Sequence, residues 1–178
     1  PVSMADLGSY TSAAAVCFLT AVLARAALHK WQNYPETVGF AQGYGLVPDT
    51  VTPAIVRFLA VIEPLIVVGL LLPLTREGAA LAAAGLFAGY GVLMTLALRA
   101  GRDRIDCGCG GAPQIVSGLT LGRNAVLVLI ALSVALLPSG TVGPAGAAVA
   151  IATGLTFFAI YSVVEKLASH LPNIRQTP

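Results

Sequence analysis

The chain predicts an all-α fold: a polytopic transmembrane helical bundle of five spans around a four-helix core. Three observations carry this. Hydrophobic residues make up 57% of the sequence and charged residues 10%, far under the roughly 25% charged content of a soluble domain. Five stretches, residues 9–28, 54–74, 79–98, 119–137 and 145–164, stay apolar over about the 20 residues a helix needs to cross a bilayer. None of them alternates polar and apolar residues as a membrane barrel strand does, so helices are the spanning element.

The first span, 9–28, has no basic residue ahead of it. Its positive charges, Arg25, His29 and Lys30, come at or after its end. That polarity is opposite to a cleaved signal peptide, so the segment is read as a span. Pro1-Val2-Ser3 ahead of Met4 reads as a cloning remnant, with Met4 as the native start. The 30–53 connection holds the single Trp, Trp31, with Tyr34 and Tyr44. Such aromatics suit the water–lipid boundary. Phe40 and Tyr44 stand one helical turn apart, which points to a short interfacial helix that either anchors this loop or caps the next loop on the same face.

The second span, 54–74, carries Glu63 near its middle, followed by Pro64. An intramembrane carboxylate is costly and faces a partner or a cavity. Arg25 is the expected partner, whereas Arg57, six residues from Glu63, projects from a different face. Pro64 kinks the helix and opens space beside it. Glu63 is then either part of a bundle-locking ion pair or the wall of a polar pocket beneath the cysteine loop that holds a quinone head group or a thiol-relay water. The third and fifth spans, 79–98 and 145–164, contain no charged residue. Gly85, Gly89, Gly91 and the Gly/Ala-rich stretch 143–150 suit close helix packing. The fourth span opens with Arg123 and Asn124 in its first turns. Arg123 either snorkels to the interface or hydrogen-bonds carbonyls of the preceding loop. The chain, 1–178, reads as one integral-membrane domain with no soluble domain, no repeat and no nucleic-acid partner.

Between the third and fourth spans lies Asp106-Cys107-Gly108-Cys109-Gly110-Gly111, which holds two of the three cysteines. A bridge between residues i and i+2 closes a small ring near the distance limit for a disulfide. Gly108 relieves part of that strain by accepting unusual dihedrals. A strained disulfide is readily passed on, so the pair reads as an exchange site and not as a structural staple. Gly110 and Gly111 leave room for an incoming thiol. Arg99, Arg102 and Arg104 favour the thiolate; Asp106 opposes it, or accepts a proton during exchange. An inert pair and metal binding are the rival readings. Two thiols are too few for structural zinc, and Cys17, His29 and His170 would join only by accident of folding, so no metal is expected. Cys17, midway along the first span, reads as a small buried hydrophobe.

Five spans place the 30–53 loop, the 99–118 loop and the C-terminal tail on one face. Of the ten basic residues, all but Arg76 lie on or near that face. Basic loops stay in the cytoplasm, so the N-terminus is expected outside and the C-terminus inside.

The basic-aromatic segment from Lys30 through Phe40, Tyr44 and Pro48, the Glu in the second span, the Asp106-Cys107-Gly108-Cys109 segment and Arg123-Asn124 together resemble the MauE family. This is the membrane component of methylamine-utilisation clusters and is related to DoxX-type four-helix proteins. The likeness runs over roughly residues 10 to 140, and its specific part is D-C-G-C followed by R-N. It implies a bacterial cytoplasmic (inner) membrane protein. It further implies that Cys107 and Cys109, with Asp106, exchange disulfides or electrons with MauD, a thioredoxin-like partner at the periplasmic side. That exchange would support maturation of the methylamine dehydrogenase small subunit. A quinone-coupled disulfide oxidase and a non-catalytic membrane scaffold for that partner stay open beside it. The resemblance sets the cysteine loop outside and the charge pattern sets it inside. Either the loop is re-entrant and reached from both sides, or the charge rule fails here.

The charge pattern makes a direct prediction. A membrane-impermeant maleimide should label Cys107 and Cys109 from the cytoplasmic side of oriented vesicles. Labelling from the periplasmic side alone would reverse the topology.

Overall fold

A computed structural model describes residues 4–101, 117–137 and 140–174. Among these the chain is entirely helical: α1 (Met4–Gln32), α2 (Tyr34–Gly43), α3 (Thr52–Leu71), α4 (Arg76–Arg99), α5 (Gly118–Leu136) and α6 (Pro144–Ile174). All but α2 are long and apolar enough to cross a membrane, and the chain is a multi-pass membrane protein.

The helix ends follow local chemistry. Pro35 sits in the first turn of α2 and Pro53 in the first turn of α3, where a missing N–H costs nothing. A short helix is present where one was expected around Phe40 and Tyr44, but it starts earlier, at Tyr34, and ends at Gly43 with Tyr44 as its cap. α3 stops at Leu71, short of the expected limit at 74. The reason is Pro73, which forces Leu72 into an extended conformation with ψ at 121°. α4 ends at Arg99, and two residues on Gly101 takes a left-handed φ of 69° that a helix cannot continue through. α6 runs to Ile174, well beyond the expected limit at 164, and carries Glu165 and Lys166 inside the helix.

α1 packs on α3, α3 on α4, α4 on α5, and α5 back on α1. These four close a ring. Its core is built from Leu19 and Leu23 of α1, Leu70 of α3, Ala80 and Ala83 of α4, and Ala131 of α5, all fully buried. The alanines let backbones approach closely, the way membrane helices gain packing where lipid supplies no hydrophobic drive. Phe58, Leu65, Leu129, Phe157 and Leu167 point outward. On a soluble protein such a belt would be an aggregation surface; here it meets lipid chains.

α6 lies outside the ring, against α1. The seam depends on glycine. A Cβ placed on Gly154 would stand 2.7 Å from the Ala14 carbonyl oxygen and 2.7 Å from Cys17 Cβ. Cys17 is half-buried in this seam, with its Sγ 3.7 Å from the Ile151 carbonyl oxygen.

Gly154→Val should therefore push α6 off α1 and destabilise the protein by about 1–3 kcal/mol. Gly85→Ala, where a Cβ meets nothing within 4 Å, should be neutral or stabilising. Denaturant titration in mixed micelles checks both.

Candidate functional site

Asp106, Cys107, Gly108, Cys109, Gly110 and Gly111 lie outside the described residues. What the structure defines is the bundle end from which that segment leaves and to which it returns. α4 ends there and α5 begins there, beside the end of α1, the start of α3 and the whole of α2.

Lys30 is the first polar group at this end. It belongs to helix α1, not to a loop, and is 2% exposed. Its Nζ donates to Glu63 Oε1 at 2.9 Å, and Glu63 is completely buried. Tyr90 on α4 donates its hydroxyl to the same oxygen at 2.7 Å, and the Lys30 ammonium lies 5.7 Å from the Tyr90 ring centroid. Glu63 Oε2 has no hydrogen-bond partner among the described residues. A charge this deep persists only when paired, and here three helices supply the pairing.

Trp31, next to Lys30, grips α3 one turn earlier. Pro64 has no N–H, so the Ala60 carbonyl loses its normal helical donor. The Trp31 indole N–H fills that vacancy at 2.8 Å. The proline thus leaves an acceptor that an aromatic from α1 takes up, while α3 runs continuously through it.

The second polar cluster centres on Glu165. Arg25 of α1 forms a salt bridge to Glu165 Oε2 and donates to Ser162 Oγ at 3.0 Å. The Arg25 guanidinium also stacks over Phe158 and Tyr161, at 5.2 and 5.3 Å from the ring centroids. Arg123 of α5 donates to Glu165 Oε1 at 2.7 Å, and the Tyr161 hydroxyl donates to that oxygen at 2.8 Å. Two sequence expectations are overturned here. Arg25 does not pair with Glu63: it sits five residues before Lys30, about 140° around the helix, and so faces α6 while Lys30 faces α3. Arg123 does not snorkel; it turns inward to Glu165.

Asn124 is 2% exposed. Its Nδ2 donates to the Thr120 carbonyl at 3.2 Å and contacts Met94 Sδ at 3.3 Å, which ties the start of α5 to α4. Thr120 Oγ1 also accepts from the Ser117 N–H at 2.9 Å, closing the first turn of α5. Arg57 reaches the Tyr34 ring at 6.0 Å and stays away from Glu63, on the separate face its spacing implied.

A void of about 10 Å³ separates the two clusters, lined by Glu63, Tyr90, Arg123, Asn124 and Tyr161 among others. That is room for about one water and for no ring. A larger cavity of about 170 Å³ opens on the other side of Lys30, under α2. Sequence reasoning missed Tyr90 and Glu165. Glu165 stands one residue past the predicted end of an apolar span, and Tyr90 is the one polar-tipped aromatic in a span otherwise read as plain packing.

A family model described as methylamine utilisation protein MauE matches residues 8–138. The chain is 38% identical over 149 residues to a methylamine utilization protein MauE of Methylorubrum extorquens, covering 81% of this chain and 80% of that one. It is 37% identical over 148 residues to a protein of the same description from Paracoccus versutus, with 81% and 80% covered. A Paracoccus denitrificans protein of that description is 34% identical over 120 residues, covering 66% of this chain and 64%, under two thirds, of its own. No solved structure matches the chain significantly.

The buried pair yields a stability prediction. Lys30→Met alone should cost about 3–5 kcal/mol, because it strands the Glu63 carboxylate. Lys30→Met with Glu63→Leu should restore most of that loss. A double-mutant cycle by denaturant titration in micelles measures the coupling, and additive costs would refute the pairing.

Proposed function

Given that the chain belongs to the MauE family of methylamine utilisation proteins, we propose that it is a thiol–disulfide exchange component of the bacterial cytoplasmic membrane. Its Cys107–Cys109 pair trades disulfides with a MauD-like thioredoxin-fold partner. The observation that carries this reading is the pair itself, Cys-Gly-Cys followed by two glycines, in a segment whose two described flanks are both held. Gly101 terminates α4 cleanly, and the Asn124–Met94 and Ser117–Thr120 contacts fix where α5 begins. A reactive pair needs a hinge and also a firm base.

In the exchange, one cysteine thiolate attacks a partner disulfide and forms a mixed disulfide, releasing one partner thiolate. The other cysteine then attacks the mixed bond, closes Cys107–Cys109 and frees the second partner thiolate. The same steps in reverse return the disulfide. Gly108 permits the short ring, and Asp106, the sequence neighbour of Cys107, holds a proton as the thiols open and close. In this reading Lys30, Glu63, Arg25, Arg123 and Asn124 do not touch the sulfurs; they hold the helix ends from which the segment springs. The downstream role is disulfide formation or isomerisation during maturation of the methylamine dehydrogenase small subunit.

Cys107→Ser and Cys109→Ser, each made singly, should differ. One should trap a mixed disulfide with a purified thioredoxin-like partner, seen as a reducible band on a non-reducing gel. No adduct from either variant would argue against exchange. Maturation left intact by alanine at both positions would favour a scaffold.

A further inference from the structure

The cavity beneath α2 is larger than anything the thiol reading requires. It occupies about 170 Å³ at the bundle end from which the cysteine segment leaves, a little more than the ~150 Å³ apolar cavity that takes up benzene. Its walls are almost wholly apolar, with Phe40, Tyr44, Tyr90 and Met94 offering aromatic and sulfur surfaces that suit a flat ring. One charged residue stands in that lining. Lys30 lines it, and its ammonium is already neutralised by Glu63. Of the three Nζ donors, one is directed at Glu63 Oε1.

That arrangement selects a ligand by charge. A paired cation in an apolar wall gives little to an anionic ligand, but its remaining N–H groups can donate to neutral carbonyl oxygens. The outer wall selects by shape. Ile55, Leu93 and Val47 border the cavity and are each more than a third exposed, so the cavity opens sideways along surfaces that face lipid. A hydrocarbon tail can leave by that route without meeting water.

We propose that this cavity is a quinone-binding site: the ring lies between α2, α3 and α4, one carbonyl accepts from Lys30 Nζ, and the isoprenoid or alkyl tail runs out past Ile55 and Leu93. The site is separate from the void of about 10 Å³ that Glu63 lines. Resting on the thiol reading above, the quinone is the two-electron co-reactant of the cysteine pair. The two thiols lose two electrons and two protons and form one disulfide; the quinone takes up both and becomes the quinol.

Binding is tested apart from that chemistry, in the otherwise complete chain carrying Cys107→Ser and Cys109→Ser, in lipid nanodiscs. The probe is decylubiquinone. The reporter is Trp31, the sole tryptophan, which neighbours Lys30 and bonds the Ala60 carbonyl beside Leu59 of the cavity wall. Fluorescence should quench saturably. Ile55→Phe and, from another wall, Leu93→Phe should each weaken binding at least tenfold by filling the cavity. Decylbenzene, which has the tail and a ring but no carbonyl oxygens, should compete at least tenfold more weakly than decylubiquinone. Quenching that rises linearly with quinone in the membrane and ignores both substitutions overturns the site. Equal competition by decylbenzene overturns the carbonyl–Lys30 contact and with it the quinone assignment. Saturable binding together with no mixed disulfide from the single-cysteine variants would keep the site and discard the thiol reading.

Discussion

The Lys30–Glu63 contact is the constraint on which the bundle end depends. It is completely buried and crosses from α1 to α3. Measured against an apolar replacement, a buried ion pair adds little net stability. What it does impose is register. Lys30 and Trp31 are consecutive on α1, and they hold a carboxylate and a carbonyl one turn apart on α3. Sliding either helix by a turn would strand the Glu63 carboxylate and the Ala60 carbonyl together. Both groups are expensive to leave unmatched where no water can serve them. Tyr90 extends the constraint to α4, so three of the four ring helices are fixed by one oxygen atom of one side chain.

Glu165 does for α6 what Glu63 does for the ring. α6 leaves most of its surface to lipid, and its glycine seam with α1 gives close approach with only the weak Cys17 Sγ contact to the Ile151 carbonyl for direction. Direction comes from Arg25 and Arg123, which reach Glu165 from α1 and α5. Two guanidiniums on one carboxylate leave a net positive charge, partly spread over the faces of Phe158 and Tyr161. The two clusters meet across a void of single-water size. The polar interior is therefore one connected layer and not a scatter of isolated charges.

The proposed function belongs to the end where this layer sits. The ends of α4 and α5 are held by capping and by Asn124, and α2 roofs a cavity walled partly by the same α3 and α4. The proposed dithiol exchange and the proposed ring site share this end of the bundle: a quinone from the bilayer would oxidise the pair, and the pair would pass its disulfide on to the thiols of the partner.

The sequence by itself determined the class, the number of spans and the residues worth attention. Apolar runs of bilayer length with so few charges leave no other folded form, because every backbone polar group must be satisfied within the helix. Cys107-Gly108-Cys109 drew attention by scarcity alone, holding two of the three cysteines. The pairing of charges was not. Arg25 and Lys30 are both basic, both near the end of one helix, and both plausible partners for Glu63; only the rotation of α1 against its neighbours separates them. Glu165 escaped notice because hydropathy averages over a window and has no means of telling the last buried turn from the first exposed one. Spacing along the chain fixes which residues share a face, but the face that meets a given neighbour is set by how whole helices pack, and that was decided in the tertiary structure.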